Sequence, residues 1–583
     1  MARAPREERV ENTVSIRSGG ARWLHAPSPL LVIVLVLLCL GGLLSLPLTV
    51  PIGPSYWDLF IYFDAANRIF DGQMPSVDFF APVGPLGYWL FAFLIKLWPN
   101  AQPLLLVQWS LLLITAPLMV LVSIDVDRRS RGLALALLIP FLVFSVLPVN
   151  IEEYSHFPSL DGYGIYNRQG AELLYVLTSA LVLVRGRKTQ LAVVALAALA
   201  LFLAKITGFI GGMGLCLFAF AAGRLAFPVA LGAGVVFMAG LAALELLFGI
   251  VSAYIADIAT LVSINEGELL PRFLQAASIH FSVFAAGGLL VLVLLFIEMG
   301  ASARPADGAR AGAIARVQRF LDRDWLWLAV TLFVGLFFET QNTGGQGFIF
   351  LWPVLLVILG HANRYHGRRL VALLALVGAT ALPTTVDIVA RSARALVGQV
   401  KYERLEHDHL KTLGSVNQRS EFMDHAKAML DIYARYPAPY EALAEAGQLP
   451  SFTLYTDPDF QLTWLMSVDE AADAILKLEA QSGQRFATIM NLNFVNPFPW
   501  LLDRHATRLI AIGADPFRAV PPPSEAVLAE VAKTDLVLYP KCPVTTANQA
   551  LLDIYRKGLT GHRVVSLTPC WDAYVRGDIT LSR

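Results

Sequence analysis

Charge is scarce in this chain. Only 15% of its 583 residues are Asp, Glu, Lys or Arg, against about 25% in soluble globular domains, which excludes an ordinary soluble enzyme. A surplus of either sign is missing too, because Lys+Arg and Asp+Glu both number 45. No basic excess points to nucleic acid, and no acidic excess to a disordered solvating tail. Cysteine is almost absent: Cys39, Cys216, Cys542 and Cys570 are too few for a disulfide scaffold. None has the CxxC or Cys/His spacing that holds zinc, so no structural metal is expected. There is no internal repeat, and low complexity is confined to 301–315. What the chain has in quantity is apolar surface, with 56% hydrophobic and 11% aromatic residues and a mean hydropathy of +0.58. The partner that this composition implies is lipid.

A spanning helix takes about 20 apolar residues. Such runs begin at Ser28–Thr49, recur near 103–123, 132–148, 170–184, 226–249, 277–299, 325–340, 348–362 and 369–389, and then stop. A further apolar stretch, 190–223, is too long for one helix and reads as two short helices meeting near Lys205. The segment 82–98 is apolar enough to insert, yet it is bracketed by prolines and ends in Lys96 and Trp98. Charge decides its placement. If it stays on the outer face, the clusters Arg128/Arg129/Arg131 and Arg185/Arg187/Lys188 fall inside, giving twenty basic residues inside against five outside, as the positive-inside rule requires. The expected fold is thus a polytopic α-helical membrane protein of about eleven spans with an outer-face juxtamembrane helix region. Residues 1–27 form a cytoplasmic tail, 28–390 the transmembrane domain and 391–583 an extracytoplasmic α/β domain. The first apolar run is long for a signal peptide and lacks a clear small-residue cleavage site, so it reads as a retained helix.

After residue 391 strand-like runs alternate with helical ones. SFTLY (451–455), RFATIMN (485–491), TRLIAIG (507–513), DLVLYP (535–540) and HRVVSL (562–567) read as strands, with helices between them that start at Ser467 and Ser524. That alternation favours a parallel sheet covered on both faces. No GxGxxG or GxxxxGK[ST] follows any of these strands, so a nucleotide site there has no support.

Ionisable residues at membrane depth or in the capping loops are where chemistry is expected, because burying charge in lipid is costly. The first outer loop holds Asp58, Asp64, Asp71 and Asp78 with Arg68. Asp64 and Arg68 lie i,i+4 and can pair on a solvated helix face. Asp58 follows an aromatic pair at the membrane exit, where a carboxylate faces the interface. The second outer loop offers Glu152, Glu153, His156, Asp161, Arg168 and Glu172, with Asp161 or Glu172 as a second acid. His156 with Glu152 and Glu153 has the donor types for a divalent metal, but a solvated loop histidine is the simpler reading, and no metal or other cofactor is assigned.

The order Asp58, Tyr62, Ala66, Gly72, Pro75, Asp78, Phe79, then Pro85, Leu86, Tyr88 and Trp89, resembles the pattern that follows the first span in GT-C glycosyltransferases. These polytopic enzymes take sugars from polyprenyl-phosphate donors, as the protein mannosyltransferases and aminoarabinose transferases do. The resemblance implies that Asp58 is the catalytic base and that 82–98 lies along the outer membrane face. Two positions depart from the pattern, Leu59 where Glu is frequent and Ser76 where Tyr is. Weaker matches are LALFLAKITGF around Lys205, NRQGAE with Glu172, and GFIFLWP (347–353), where Gln346 or Gly347 stands at the family's basic or histidine position. The resemblance spans 28–390 in topology and does not reach the outer α/β domain. It implies transfer from a polyprenyl-phosphate-linked sugar to a saccharide or lipid acceptor of the cell envelope at the outer face of the plasma membrane, with inversion. Lys205, Arg68 and Lys96 are then the candidates for the donor phosphate. The readings from other classes are a transporter or flippase, which should show paired broken spans in two related halves where only 190–223 is broken, and a non-catalytic envelope assembly protein.

Cys542 and Cys570 each follow an expected strand. If those two strands are parallel neighbours, both emerge at one sheet edge and a disulfide can close between them. If a strand intervenes, they remain free thiols.

Overall fold

The computed structural model describes residues 26–265, 269–301, 312–340, 346–448 and 458–581. Most of the expected N-terminal tail and the expected strand 451–455 lie outside the described residues.

Helices dominate. They run α1 Pro29–Leu44, α2 Asp58–Phe70, α3 Leu86–Leu97, α4 Pro103–Ser110, α5 Leu112–Asp127, α6 Arg131–Val146, α7 Ile165–Leu183, α8 Arg187–Ala204, α9 Ile206–Ala221, α10 Phe227–Phe248, α11 Ile250–Ile264 and α12 Leu269–Ile279. The series continues with α13 Phe281–Ala301, α14 Ala313–Leu321, α15 Asp324–Glu339, α16 Trp352–Gly360 and α17 Arg368–Gly398. Five described helices are long and apolar enough to cross a membrane by length and composition, namely Pro103–Asp127, Arg187–Ala204, Phe227–Phe248, Phe281–Gly300 and Arg368–Lys401, and shorter apolar helices accompany them.

The break in 190–223 falls at Lys205, whose extended backbone (φ −162°, ψ 121°) ends α8 and opens α9. α3 has only 12 residues, about 18 Å at 1.5 Å per residue, well short of a ~30 Å hydrocarbon core. Its last turn is tied to the end of α1, where Trp98 Nε1 donates to Ser45 Oγ at 3.1 Å. α2 buries Leu59, Phe60, Tyr62, Phe63 and Ala66 and stops at Asp71 and Gly72, the latter in the left-handed region (φ +78°) that glycine enters without strain. The expected boundary at 390/391 falls inside one continuous helix: α17 runs 31 residues to Gly398, because RSARALVG after Ala390 holds no residue that stops a helix.

The rest of the chain adds α18 Ser420–Arg435, α19 Pro437–Glu445, α20 Pro458–Ser482, α21 Phe498–Leu502, α22 Glu525–Lys533 and α23 Thr546–Tyr555, with strands β1 Val50–Pro51, β2 Glu403–Arg404, β3 Val416–Gln418, β4 Thr488–Asn491, β5 His505–Ala506, β6 Leu536–Pro540, β7 His562–Thr568 and β8 Trp571–Arg576. Ser524 caps α22, accepting from Val527 N at 3.3 Å. Ser467 starts nothing, since α20 begins at Pro458 and passes straight through it.

The C-terminal sheet differs from the all-parallel expectation. Its order is β5-β4-β6-β8-β7, with β4 parallel to β5 and β6, and β8 antiparallel to both β6 and β7. The strand absent from the sequence reading is β8, whose Trp571, Ala573 and Val575 point inward in strict alternation. TRLIAIG contributes only a single bridge, Ala511 to Phe80. The Cys542–Cys570 disulfide is formed, with Cα atoms 4.9 Å apart, but by a different route. β8 does intervene between β6 and β7, and because Cys570 directly precedes it, the Pro540↔Trp571 pairing delivers the two cysteines to each other.

The C-terminal region is not a separate ball. β1, just after α1, pairs in parallel with β3, and one apolar core runs from Phe60 and Phe91 to Leu465 and Leu538.

Candidate functional site

Asp58 occupies the first turn of α2, where the helix dipole favours negative charge. The preceding residue, Trp57, brings no side-chain cap. Its backbone N–H donates instead to Gln461 Oε1 of α20 at 3.4 Å, and its ring packs edge-on against Phe460 at 5.5 Å and Trp464 at 6.4 Å. Asp58 is half-buried, but Oδ1 is sealed from solvent with no hydrogen-bond partner. Burial pushes its carboxyl up to about 7. The phenols of Tyr62, Tyr88 and Tyr166 all lie within its electrostatic reach.

Tyr166, in the first turn of α7, connects Asp58 to the hairpin lysine. Lys205 Nζ sits 5.5 Å from the Tyr166 ring centre and 4.6 Å from that of Phe338, and donates to Asn167 Oδ1. It is buried. The loop entering α3 lies over this hairpin: a Cβ on Gly84 (φ +101°) would stand 2.4 Å from the Leu203 carbonyl oxygen, so only glycine lets α3 start there. Glu339, at the end of α15, is the carboxylate whose charge reaches Lys205. It is buried, and neither of its oxygens has a hydrogen-bond partner. On its other side is His280, whose Nε2 lies 3.7 Å from Glu339 and 3.8 Å from Glu152. A cavity of about 380 Å³ opens there, lined by His280, Glu152, Glu153, Tyr154, Thr384 and Asp387 among others.

The other expected site residues go elsewhere. Asp161 is fully buried and receives Arg391 at 2.9 Å and the Asn150 N–H at 2.7 Å; burial holds its carboxyl above the usual range against the pull of Arg391. Glu172 is buried within α7, one turn beyond Arg168, whose charge it feels. Arg68 and Asp64 do pair, at 2.8 Å, but in the interior and not on a solvated face. Arg68 also donates to the Thr507 carbonyl at 2.6 Å and to Gln73 at 3.3 Å, so its guanidinium ties α2 to the outer domain. Lys96 is exposed at the end of α3. His156 is solvent-exposed, 4.0 Å from Glu153. Gln346 is buried and donates to the Phe144 carbonyl at 2.6 Å.

The sequence reading passed over Tyr166, Glu339, His280 and Gln461, and quoted Asn167 only within NRQGAE. Glu339 and His280 carried a usable signal, an ionisable residue at the edge of an apolar run. Gln461 carried none, because its role depends on packing between distant segments.

No protein-family model matches the chain, and no curated protein does. Among solved structures, ArnT from Cupriavidus metallidurans is 13% identical, with 95% of this chain and 99% of that one covered at a TM-score of 0.41. The oligosaccharyltransferase AglB from Archaeoglobus fulgidus, in complex with an inhibitory peptide and a dolichol-phosphate, is 12% identical over 92% of this chain and 72% of its own, with a TM-score of 0.37. An A. fulgidus oligosaccharyltransferase tethered to an acceptor peptide is 13% identical over 96% and 75%, at 0.36. At these TM-scores no residue role is carried over from any of the three.

Proposed function

We propose that the chain is a membrane glycosyltransferase that moves a sugar from a polyprenyl-phosphate donor to a cell-envelope glycan or lipid acceptor at the outer face of the plasma membrane. On this reading the N-terminus is cytoplasmic, the chain from α1 through α17, which ends at Gly398, forms the membrane-embedded part, and the residues after it form the outer domain. The observation that carries the proposal is Asp58 Oδ1, a carboxylate oxygen without a hydrogen-bond partner that shares Tyr166 with the buried cation Lys205. The resemblance of 58–89 to the GT-C pattern points the same way.

The acceptor hydroxyl oxygen attacks the anomeric carbon as Asp58 takes its proton. The bond from that carbon to the phosphate oxygen breaks with its electron pair, and the configuration inverts. The charge left on the polyprenyl phosphate is met by Lys205. Arg68 and Asp161 hold the scaffold, and Lys96 lies at the rim. The cavity beyond Glu339 falls within the usual 300–1,000 Å³ for a ligand site and is the entry we assign to the acceptor.

Release of free polyprenyl phosphate from a panel of polyprenyl-phosphate hexoses and pentoses, with the protein in nanodiscs, tests the reading. Turnover is expected with at least one donor, and Asp58→Asn is expected to lower it by about 100- to 10,000-fold. Undiminished turnover in Asp58→Asn removes the base assignment, and no release from any donor removes the transferase reading.

A further inference from the structure

At the end of the bundle opposite Asp58 lies a helix that the proposed chemistry does not use. α14 (AIARVQRFL) leaves Ile314, Val317 and Phe320 exposed at 76%, 56% and 46%. Their spacing of three puts them along one side of the helix. Arg316 and Arg319, also exposed, flank that side, and the helix holds no acid. With nine residues, about 13 Å long, it cannot cross a bilayer.

Its orientation is fixed from behind. Gln318 packs on the turn after α9, 3.0 Å from where a Gly223 Cβ would stand. The next residue beyond the helix, Asp322, is gripped by Arg224 at 2.5 Å and by Trp327 Nε1 at 3.0 Å. α14 therefore lies level with the ends of α9 and α15, with Ile314 and Val317 turned to solvent and Phe320 still 46% exposed beside Trp325 and Arg323.

We propose that α14 is an in-plane anchor for anionic lipid, with Ile314, Val317 and Phe320 among the acyl chains of the leaflet opposite Asp58 and Arg316 and Arg319 on the lipid phosphates. An apolar side alone would suit any lipid or a protein groove. Two arginines beside it, with no acid on the helix, select negative headgroups. The inference rests on the membrane reading and not on the transfer chemistry, so it stands or falls independently of Asp58.

Hydrogen exchange of the 312–321 segment is the test, on the full-length chain in phosphatidylcholine discs with and without phosphatidylglycerol. Exchange is expected to be roughly thirtyfold slower in the anionic discs, from the usual attraction of two basic residues to such a surface. The difference should vanish in R316Q/R319Q and shrink in high salt. Equal exchange in both discs overturns the lipid selectivity, and equal protection in detergent means that a protein surface holds the helix. A spin label on V317C, with Cys39 and Cys216 replaced by serine, gives a second reading. Stronger relaxation by oxygen than by aqueous nickel supports insertion, and the reverse overturns it.

Discussion

Burial raises the pKa of Asp58, and this acts on rate and on stability in opposite senses. Below about 7 its carboxyl keeps the proton and cannot accept one, so kcat/KM is expected to climb with pH and level off above that value. The unfolded chain releases the same proton near 3.9, so the folded state binds the extra proton between about 4 and 7 and loses that stabilisation as pH rises through the window. Asp58→Asn should therefore be inactive yet unfold at a higher temperature than the wild type at pH 8, with the gap closing towards pH 4. Thermal unfolding at the two pH values checks this, and a variant less stable at pH 8 would show that the carboxylate is well solvated. The sequence singles out Asp58 because an acid directly after Tyr-Trp beyond an apolar run is conspicuous, and the structure gives it an unpartnered, sealed oxygen. Glu339 and His280 read as the ends of spans, and only the packing of α13 and α15 around the Lys205 hairpin assembles them.

Periodicity served the helices well, because a long apolar run has few alternatives in a membrane, and the interruption at Lys205 showed as length alone. In the outer sheet it served less well. β8 was missed although WDAYVR alternates; β6 and β7 do run parallel, but β8 lies between them and is antiparallel to both. The disulfide is the element-scale consequence. In the chain-entropy account, bridging cysteines 28 residues apart is worth about 3 to 4 kcal/mol. Cys542→Ser/Cys570→Ser should lower the unfolding temperature of the outer sheet, and in the unreduced, denatured wild type only Cys39 and Cys216 should react with a thiol reagent. Labelling of all four would refute the bridge.

Across the whole molecule the outer region is fastened to α2 by ordinary polar contacts. Asn67 donates to the Arg504 carbonyl at 3.0 Å, Asp71 meets His505 at 2.9 Å, and the Leu509 N–H donates to the Asp78 carbonyl at 2.8 Å. Arg68 is the deepest of these fastenings. Arg68→Met leaves Asp64 buried without its partner and should cost about 3 to 5 kcal/mol, while Asp64→Leu/Arg68→Met should recover much of that loss. Denaturant titration of these two variants and of Asp64→Leu checks it, and additive losses would mean that the pair is not coupled. None of this fastening was readable from the sequence, which suggested two independent units, because contacts between residues four hundred apart leave no local pattern.

The pairing of β1 with β3 sets the order in which the protein can be built. Val50 and Val416 are register partners, and Gln418 Nε2 donates to the Ile52 carbonyl across 366 positions of chain. At about 5 to 20 residues per second of synthesis, the segment leading into α2 waits roughly 20 to 70 seconds before its strand partner arrives. Trp57 waits longer still for Gln461. A newborn chain thus carries its Asp58 loop unfinished until residue 461 has been made, and a copy truncated before residue 416 emerges with β1 unpaired.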